Sequence, residues 1–266
     1  MDVRNLNKLS LCLKKLKPQI VIHLAAVSHA NRSNINPKET FENSLVTLNN
    51  VLECIKTNVK HFIFFSSSMV YGDFKGKKVR ENNVCSPKGI YGGLKLAAEQ
   101  IIKAYSQVFN LPYTIVRPSA LYGERCISRR VGQIFIENAL HKNQIKIQGD
   151  GREKLDFTYI EDLINGIVSI IKSKKSINQT FNLTFGNSKS INSMLSLLKK
   201  EFPDVKVDYI SRDKLMPVRG TLCINKAKKL LGYKPRCDLN KGYVKYIKWY
   251  KNFLKERNYN QNIVIK

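Results

Sequence analysis

The chain has 266 residues, of which 43% are hydrophobic and 25% are charged, so it is long enough to bury a sizeable core. No stretch reaches the 18 or so apolar residues that a membrane-spanning helix needs, and the composition excludes collagen-like and disordered proteins. Lysine and arginine outnumber aspartate and glutamate by 46 to 20, which gives a formal net charge of +26 and favours anionic partners.

Short apolar runs alternate with helical patterns in the first 125 residues. The runs at 19–23, 61–65 and 114–117 are typical of buried strands. Apolar residues at three- and four-residue spacing predict helices over 37–58 and 91–109. This alternation, with nearly continuous apolar strands, predicts an α/β fold with a parallel sheet.

The pattern loosens after about residue 125. The segment 149–151 marks a turn, 159–172 is predicted as a helix and 180–184 as a further strand. Helices dominate from residue 191 onward, and the last is predicted over 239–256, with an aromatic stripe that indicates packing. We therefore expect a smaller, mostly helical C-terminal region.

The basic residues are spread along the whole chain, without an arginine-rich block or a basic patch interleaved with aromatic residues. A nucleic-acid-binding protein is the alternative that the net charge alone would favour. Because the charges are dispersed, we interpret them as solvated faces and expect neither nucleic acid nor a membrane as a partner.

The six cysteines and four histidines are scattered, and no CxxC pair occurs. This spacing excludes zinc fingers and disulfide scaffolds and predicts no metal site. Reduced cysteines are typical of a cytoplasmic protein, and the first residues lack the charged-then-apolar layout of a secretory signal. We therefore expect a cytoplasmic protein.

A run of three serines, 66–68, directly follows the strand predicted at 61–65, at the kind of strand end where α/β sheets gather function. Tyr91 and Lys95 are four residues apart, so they share one face of the predicted helix. A nearby ammonium lowers the pKa of a phenol from about 10, which makes Tyr91 a candidate general base. The Tyr-Lys spacing is a weak signal alone, and the serine run upstream makes it a strong one.

Several further motifs occur along the chain, and their order is part of the pattern. They are residues 23–26, 31–37, 43, 66–72, 91–95, 117–123, 149–151 and 156–162, and Arg219 before 225–227. With these motifs the chain resembles the extended short-chain dehydrogenase/reductase family, the NAD-dependent sugar-nucleotide epimerases and dehydratases that include UDP-glucose 4-epimerase. The resemblance covers almost the whole sequence.

The resemblance implies roles for the residues at the matching positions. Tyr91 would be the acid/base, and Lys95 would bind the nicotinamide ribose of NAD while lowering the pKa of the tyrosine. Ser67 would hydrogen-bond a sugar hydroxyl. Arg219 would clamp the diphosphate of a nucleotide-diphosphate sugar, a task that suits a bidentate guanidinium.

The same resemblance assigns a set of residues to the NAD cofactor. It places an aspartate-hydrophobic pair at the adenine, small residues after a strand beside the phosphates and ribose, and further polar residues nearby. These cofactor residues are Asp2, Val3, Leu24, Ala25, Ala26, Asn43, Ser119, Tyr91 and Lys95.

The family resemblance implies a partial Rossmann-like, doubly wound parallel sheet whose first strands are missing. The first glycine is Gly72, so the glycine-rich fingerprint that binds the pyrophosphate is absent. In family terms the chain lacks roughly 50–60 residues, about two βα units, which would leave the strand near Ile20 as an unpaired apolar edge. We expect a truncated NAD-binding domain over 1–125 and a substrate-binding region over 126–266, in which 156–186 returns to the sheet.

Departures from the family pattern bear on the substrate. Dehydratase members carry an Asp-Glu pair after the serine or threonine, and this chain has Ser68 and Met69 there, which argues against 4,6-dehydration. Ala120 and Leu155 replace a common asparagine and a frequent arginine, and Arg152 is a candidate to compensate.

These observations lead to three hypotheses. The first is NAD-dependent epimerisation at C4 of a nucleotide-diphosphate sugar by transient oxidation. The second is a 4-keto sugar-nucleotide reductase, in which the same residues would support a single hydride transfer. The third is a catalytically silent fragment or split subunit, because the glycine-rich loop is absent. The resemblance also implies a homodimer through the helices at 37–58 and 91–109.

Overall fold

A computed structural model describes residues 1–76, 78–126 and 128–264. Up to residue 125 the elements in chain order are α1 (Leu6–Leu16), β1 (Ile20–His23), α2 (Ala30–Ile35), α3 (Pro37–Phe41), a π-helical turn (Glu42–Val46), α4 (Thr47–Ile55), β2 (His61–Phe65), a 3₁₀ turn (Ser68–Tyr71), α5 (Gly89–Phe109), β3 (Tyr113–Arg117) and β4 (Leu121–Tyr122).

The second half of the chain adds helices and mostly short strands. In chain order they are α6 (Val131–Leu140), β5 (Ile145–Gln148), β6 (Lys154–Leu155), β7 (Thr158–Tyr159), α7 (Ile160–Lys172), a 3₁₀ turn (Lys174–Ser176), β8 (Gln179–Asn182), β9 (Lys189–Ser190), α8 (Ile191–Glu201), β10 (Val207–Ile210), α9 (Asn225–Leu231) and α10 (Leu239–Val264).

Four parallel strands form the main sheet in the order β1, β2, β3, β8. Helices cover both faces of this sheet, because successive side chains of a strand point to opposite sides. Phe62 and Phe64 pack with side chains of α1, α4 and α5, and Ile63 packs with side chains of α7 and α9. The predicted α/β fold with a doubly wound parallel sheet is therefore confirmed.

The strand β1 lies at one edge of this sheet, and β2 is its neighbour among the described strands. Its side chains Ile20 and Ile22 are 36% and 40% exposed. An apolar edge strand presents unpaired backbone groups to solvent. The expected apolar edge near Ile20 is therefore present.

The helix predicted over 37–58 is a helical run that contains a π-helical turn. In this turn Asn43 donates from its side-chain amide to the carbonyl of Glu39 at 2.8 Å. One turn later the Thr47 hydroxyl donates to the carbonyl of Asn43 at 2.8 Å. Such turns occur frequently at functional sites, and this one contains a predicted cofactor residue.

A second core lies in the C-terminal half, between α6, α8, α10 and the parallel pair of β5 and β10. The last helix is longer than predicted and reaches Val264. Its tyrosines at 243 and 246 are fully buried in this core. The aromatic stripe of that helix is therefore packing, as the sequence predicts.

Candidate active site

Ser67 lies at the carboxyl end of β2, where the chain enters the 3₁₀ turn Ser68–Tyr71. Its backbone is extended, with φ −160° and ψ 153°, and its hydroxyl accepts from the backbone N–H of Met69 at 3.1 Å. The backbone N–H of Ser68 donates to the carbonyl of Pro118 at 2.9 Å, just beyond the end of β3. These contacts fix the serine run at the carboxyl edge of the sheet, where function gathers in α/β folds.

The first turn of α5 lies directly against the serine run because Gly92 has no side chain. A Cβ at this position would be 2.9 Å from the carbonyl oxygen of Met69 and 2.9 Å from Cβ of Pro87. Tyr91 is the residue before this contact, so the close approach sets the position of its ring beside the serines.

Lys95 lies one turn further along α5 and is buried. Its ammonium donates to the carbonyl oxygen of Phe65 at 2.6 Å and lies 4.9 Å from the ring centroid of Phe64. Burial lowers the pKa of Lys95 to about 8, and attraction to Glu99 opposes that shift. The lysine is thus tied to the last residue of β2, next to the serine run.

The expected effect of Lys95 on Tyr91 is not what the structure shows. Burial raises the pKa of Tyr91 above its ordinary value near 10, and the Ser67 hydroxyl, Arg130 and Arg219 act in the opposite direction. The ammonium of Lys95 donates to a backbone carbonyl and lies 6.0 Å from the centroid of the tyrosine ring, and in this position it does not offset the effect of burial. The cations that favour the phenolate are therefore the arginines, which approach from other parts of the chain.

Arg219 reaches this site from the segment before α9, and two further arginines and a glutamate surround it. Its Nε is buried and has no hydrogen-bond partner in the described part of the chain. Burial lowers the pKa of Arg219 to about 10, Arg130 and Arg212 lower it further, and Glu153 raises it. Glu153 lies 2.5 Å from Arg212, so the charged groups near Arg219 are one carboxylate and two further guanidinium groups. This arginine cluster, Arg130, Arg212 and Arg219, leaves positive charge available for an anion beside Tyr91.

Asp156 anchors the segment that carries Arg219. Its buried carboxylate accepts from the backbone N–H groups of Gly186 and Leu222 at 3.0 Å each and from the Thr184 hydroxyl at 3.0 Å. Burial raises the pKa of Asp156 to about 6, and these hydrogen bonds oppose the shift. The sequence identified the motif at 156–162, but the role of this carboxylate depends on partners up to 66 residues away.

A hollow of about 660 Å³ opens beyond the carboxyl end of β1. Arg130 connects it to the arginine cluster, because its guanidinium donates to the carbonyl of Ser28 in the wall of the hollow. The structure brings five of the predicted cofactor residues together here, namely Asp2, Val3, Ala25, Ala26 and Asn43.

Four predicted cofactor residues lie outside the wall of this hollow, namely Tyr91 and Lys95 on α5, Leu24 and Ser119. The side chain of Leu24 is 64% exposed, directly after the end of β1. Ser119 is buried at the end of β3, next to the Pro118 carbonyl that binds the serine run.

The residues of the hollow fit the adenosine part of NAD. Asp2 is paired with Arg4, whose NH2 donates to its carboxylate at 2.6 Å, and this pairing lowers the pKa of Asp2 to about 2. Asp2 is therefore a charged acceptor at neutral pH, suited to the hydrogen-bond donors of an adenosine. Ala25 and Ala26 are small, so a ligand can approach the backbone closely at the end of the strand.

The positions that depart from the family pattern lie close to these groups. Ser68 and Met69 are both buried beside Ser67. Ala120 has φ +37°, a region that favours asparagine over alanine, which gives a physical reason for the residue common there. Arg152 does not compensate for Leu155, since its exposed guanidinium lies 3.5 Å from Asp150.

Within residues 1–76, 78–126 and 128–264, no helix is both long and apolar enough to cross a membrane. In the same part of the chain, no cluster of three histidine, cysteine, aspartate or glutamate side chains is arranged to hold a metal ion. All six cysteines are free thiols.

Comparison with known proteins gives consistent matches. The profile of the NAD dependent epimerase/dehydratase family matches residues 1–184. An uncharacterised UDP-glucose epimerase of Bacillus subtilis is 32% identical over 227 residues, which are 84% of this chain and 71% of that protein. A UDP-glucuronate 4-epimerase of Thermodesulfobacterium geofontis is 28% identical over 254 residues, 94% of this chain and 78% of that protein.

Solved structures show the same fold. The UDP-glucuronic acid 4-epimerase from Bacillus cereus, in complex with UDP-glucuronic acid and NAD, superposes with a TM-score of 0.89 at 29% identity, over 95% of this chain and 81% of that one. The UDP-glucose 4-epimerase of Thermotoga maritima, with UDP-glucose, gives a TM-score of 0.87 at 25% identity, over 96% and 84%. The chain therefore belongs to the NAD-dependent epimerase/dehydratase family of sugar-nucleotide enzymes.

Proposed function

We propose that this chain epimerises C4 of a nucleotide-diphosphate sugar by transient oxidation. The observation that carries the proposal is the meeting of Ser67, Tyr91 and the arginine cluster at the carboxyl edge of the sheet, beside the hollow after β1. This arrangement supplies a phenol, a hydroxyl and an anion site in one place, which a C4 oxidation of a diphosphate-linked sugar requires.

Each residue of the site has a proposed task. Tyr91 takes the proton of the C4 hydroxyl, and Ser67 hydrogen-bonds the sugar oxygen so that it faces the phenol. Lys95 holds the ribose of the cofactor, and its tie to Phe65 keeps it at the end of β2. When bound, NAD supplies a hydride acceptor that takes and returns the C4 hydrogen. Proton release from Tyr91 is assisted by the neighbouring guanidinium groups, which lower its pKa against the effect of burial.

The arginine cluster is proposed to hold the diphosphate of the substrate. Arg219 has a buried guanidinium nitrogen without a partner in the described residues, and a phosphate oxygen would complete its hydrogen bonds. Ser68 and Met69 carry neither a carboxylate nor another acid/base group for the sugar's C5 proton, so we do not propose 4,6-dehydration.

We also propose the division into an NAD-binding part, residues 1–125, and a substrate-binding part, residues 126–266, from which β8 returns to the sheet. A homodimer through α3, α4 and α5 is part of the proposal. Exposed apolar side chains on these helices, such as Phe41 and Ile90, support such an interface.

The first experiment is a calorimetric titration of the purified chain with NAD, followed by assays with UDP-glucose and UDP-glucuronic acid. We expect C4 epimerisation with NAD in catalytic amounts, and a loss of about 10²–10⁴-fold in Tyr91→Phe, which should bind NAD as the unchanged chain does. Stoichiometric consumption of NADH with a 4-keto sugar nucleotide would instead establish a reductase. A folded chain that binds no NAD and turns over no sugar nucleotide would contradict the proposal and favour a silent subunit.

A further inference from the structure

The segment that carries Arg219 is held in place on both sides of the arginine. On the far side, the backbone N–H of Leu222 donates to the carboxylate of Asp156 at 3.0 Å. On the near side, the backbone N–H of Val218 donates to Oδ1 of Asp73 at 2.8 Å. The two carboxylates therefore bind the chain one residue before Arg219 and three residues after it.

Asp73 is placed for this contact by the turn that follows the serine run. It comes two residues after the end of the 3₁₀ turn Ser68–Tyr71. The next residue, Phe74, donates from its backbone N–H to the carbonyl of Val218 at 2.7 Å. Both backbone groups of Val218 are thus bound by neighbouring residues of one short loop, and this ties the segment of Arg219 to the turn that begins beside Ser67.

The second carboxylate oxygen of Asp73 faces the start of α5. Oδ2 lies 2.6 Å from Nζ of Lys88, which is the residue before α5 begins and three positions before Tyr91. The hydrogen bonds from Lys88 and from the N–H of Val218 lower the pKa of Asp73, so its carboxylate is charged at neutral pH. One side chain therefore connects the start of the helix that carries Tyr91 with the segment that carries Arg219.

The two contacts of Asp73 differ in strength. The side chains of Lys88 and Asp73 are each 39% exposed, and ion pairs of this kind contribute little because solvent screens them. The contact with Val218 is a hydrogen bond to an ionised acceptor, which is among the stronger kinds. Asp73 therefore acts mainly through the backbone N–H of Val218.

Arg219 depends on its backbone for its position. Its buried Nε has no hydrogen-bond partner among the described residues. Since no bond from this nitrogen to those residues fixes the guanidinium, the contacts of the neighbouring backbone decide where it lies. The nearest of these contacts along the chain is the one between Val218 and Asp73.

We infer that Asp73 is a positioning residue for the candidate active site: by binding the N–H of Val218, it holds Arg219 at a fixed place relative to the serine run and the start of α5. The inference rests on the proposed function for the ligand of Arg219, the diphosphate. It goes further by assigning the place of this guanidinium to a carboxylate that has no part in the proposed chemistry. A merely structural Asp73 would add to the stability of the whole chain without a particular effect on Arg219.

The test follows the exchange of the Nε–H proton of Arg219 with water by ¹⁵N NMR of the whole chain, with the signal assigned by its loss in Arg219→Lys. Such exchange reports local opening of the structure. In Asp73→Ala we expect the rate to rise about three- to tenfold, because Val218 loses its charged acceptor while its carbonyl keeps the bond from Phe74. Asp73→Asn keeps an acceptor oxygen and should restore a rate close to that of the unchanged chain.

The matched control is Asp213→Ala in the same segment. Oδ1 of Asp213 accepts from the backbone N–H of Leu215 at 2.9 Å, so this carboxylate also binds a backbone N–H, but only within its own turn. Its loss should leave the exchange of Arg219 unchanged. If circular dichroism shows that Asp73→Ala is unfolded, Asp73→Ser replaces it, since the serine oxygen lies one bond closer to the backbone and does not reach the N–H in the same way.

An internal reference separates local opening from a loss of global stability. Nε of Arg117 is hydrogen-bonded to Glu99 at 2.9 Å, and both residues are buried in another part of the molecule's core. Global unfolding would raise the exchange rates of Arg117 and Arg219 together. We expect Asp73→Ala to raise only the rate of Arg219.

A calorimetric titration with UDP then measures what the position of Arg219 contributes to binding. We expect Asp73→Ala to bind UDP about three- to tenfold more weakly than the unchanged chain, and Asp73→Asn to bind it nearly as well. An unchanged exchange rate in Asp73→Ala, an equal rise in Asp213→Ala, no recovery in Asp73→Asn, or an unchanged affinity for UDP despite faster exchange would overturn the inference. Faster exchange at Arg219 in a chain that binds no UDP in any form would support the inference and contradict only the proposed function, since the exchange readout needs no ligand.

Discussion

His23 is buried at the end of β1, where its ring lies nearly parallel to that of Phe64 at a centroid distance of 6.1 Å. Its Nε2 is buried without a hydrogen-bond partner among the described residues. Burial lowers the pKa of His23 to about 4, and the charge of Lys95 adds to this effect. Protonation of this ring would therefore place a second cation beside the lysine in a buried site.

This histidine should make the stability of the chain depend on pH. The unfolded chain takes up the proton near pH 6.5 and the folded chain only near pH 4, so the contribution is present above pH 6.5 and is lost as the pH falls toward 4. The loss amounts to about 3 kcal/mol in the free energy of unfolding. His23→Gln cannot take up this proton, so urea unfolding between pH 4 and 6.5 should show a flatter dependence. Equal slopes for the two proteins would contradict the prediction.

Residues of the site differ in how far the sequence could predict them. Ser67, Tyr91 and Lys95 belong to short motifs, so spacing and the family pattern identify them. Arg130 and Arg212 lie in segments with no recognisable pattern. Only the fold brings Arg130 near Tyr91 and Arg212 near Arg219. The direction of the Tyr91 pKa shift also could not be predicted, because it depends on burial and on where the ammonium of the lysine points.

At the scale of elements, the contact between α5 and the 3₁₀ turn depends on one of two adjacent glycines. A Cβ at Gly92 would lie 2.9 Å from a backbone oxygen and from a proline ring atom, whereas a Cβ at Gly93 would have no neighbour within 4 Å. The two positions therefore test the close approach within a single helical turn.

We expect Gly92→Ala to lower the free energy of unfolding by about 1–3 kcal/mol, because the helix must move away from the serine run. Gly93→Ala should raise it by up to about 1 kcal/mol, because alanine is the better helix former. Chemical denaturation of both variants measures the difference. A stable Gly92→Ala variant with unchanged turnover would show that the contact does not set the position of Tyr91.

Local sequence patterns are sufficient to predict some of the helices and strands but not all of them. The strands β2 and β3 and the long helix α5 coincide closely with their predicted segments, because each has a strong apolar pattern of its own. The π-helical turn at Glu42–Val46 was not predicted, since apolar spacing in a helix does not reveal one extra residue in a turn. The pairing of β8 with β3 joins residues 65 apart and follows only from the sheet as a whole.

For the molecule as a whole, the positive charges behind the net charge of +26 differ in how strongly they act on the site. Most exposed lysines have little effect on the site, since solvent and salt screen them. The arginine cluster is partly buried, so its charge acts at short range on Tyr91 and on an anion held there. The excess of positive charge in the sequence therefore affects Tyr91 and a bound anion mainly through the arginine cluster, where burial reduces screening by solvent and salt.

The edge strand β1 is a place where the molecule can contact other chains. Its apolar side chains Ile20 and Ile22 flank unpaired backbone groups, and such an edge is a template for strand pairing. We expect concentration-dependent species larger than a dimer, and a marked decrease of these species in Ile22→Lys, because a charge on the edge opposes pairing. Sedimentation velocity at several concentrations measures the distribution.

The matched control is Ile171→Lys on α7, since Ile171 is 39% exposed and Ile22 is 40% exposed. Both variants add one positive charge and remove one half-exposed isoleucine, so they differ only in whether the residue belongs to a sheet edge. If association falls equally in both, general hydrophobicity rather than strand pairing drives it. A decrease confined to Ile22→Lys would locate the association at β1, because α7 has no open backbone edge to pair.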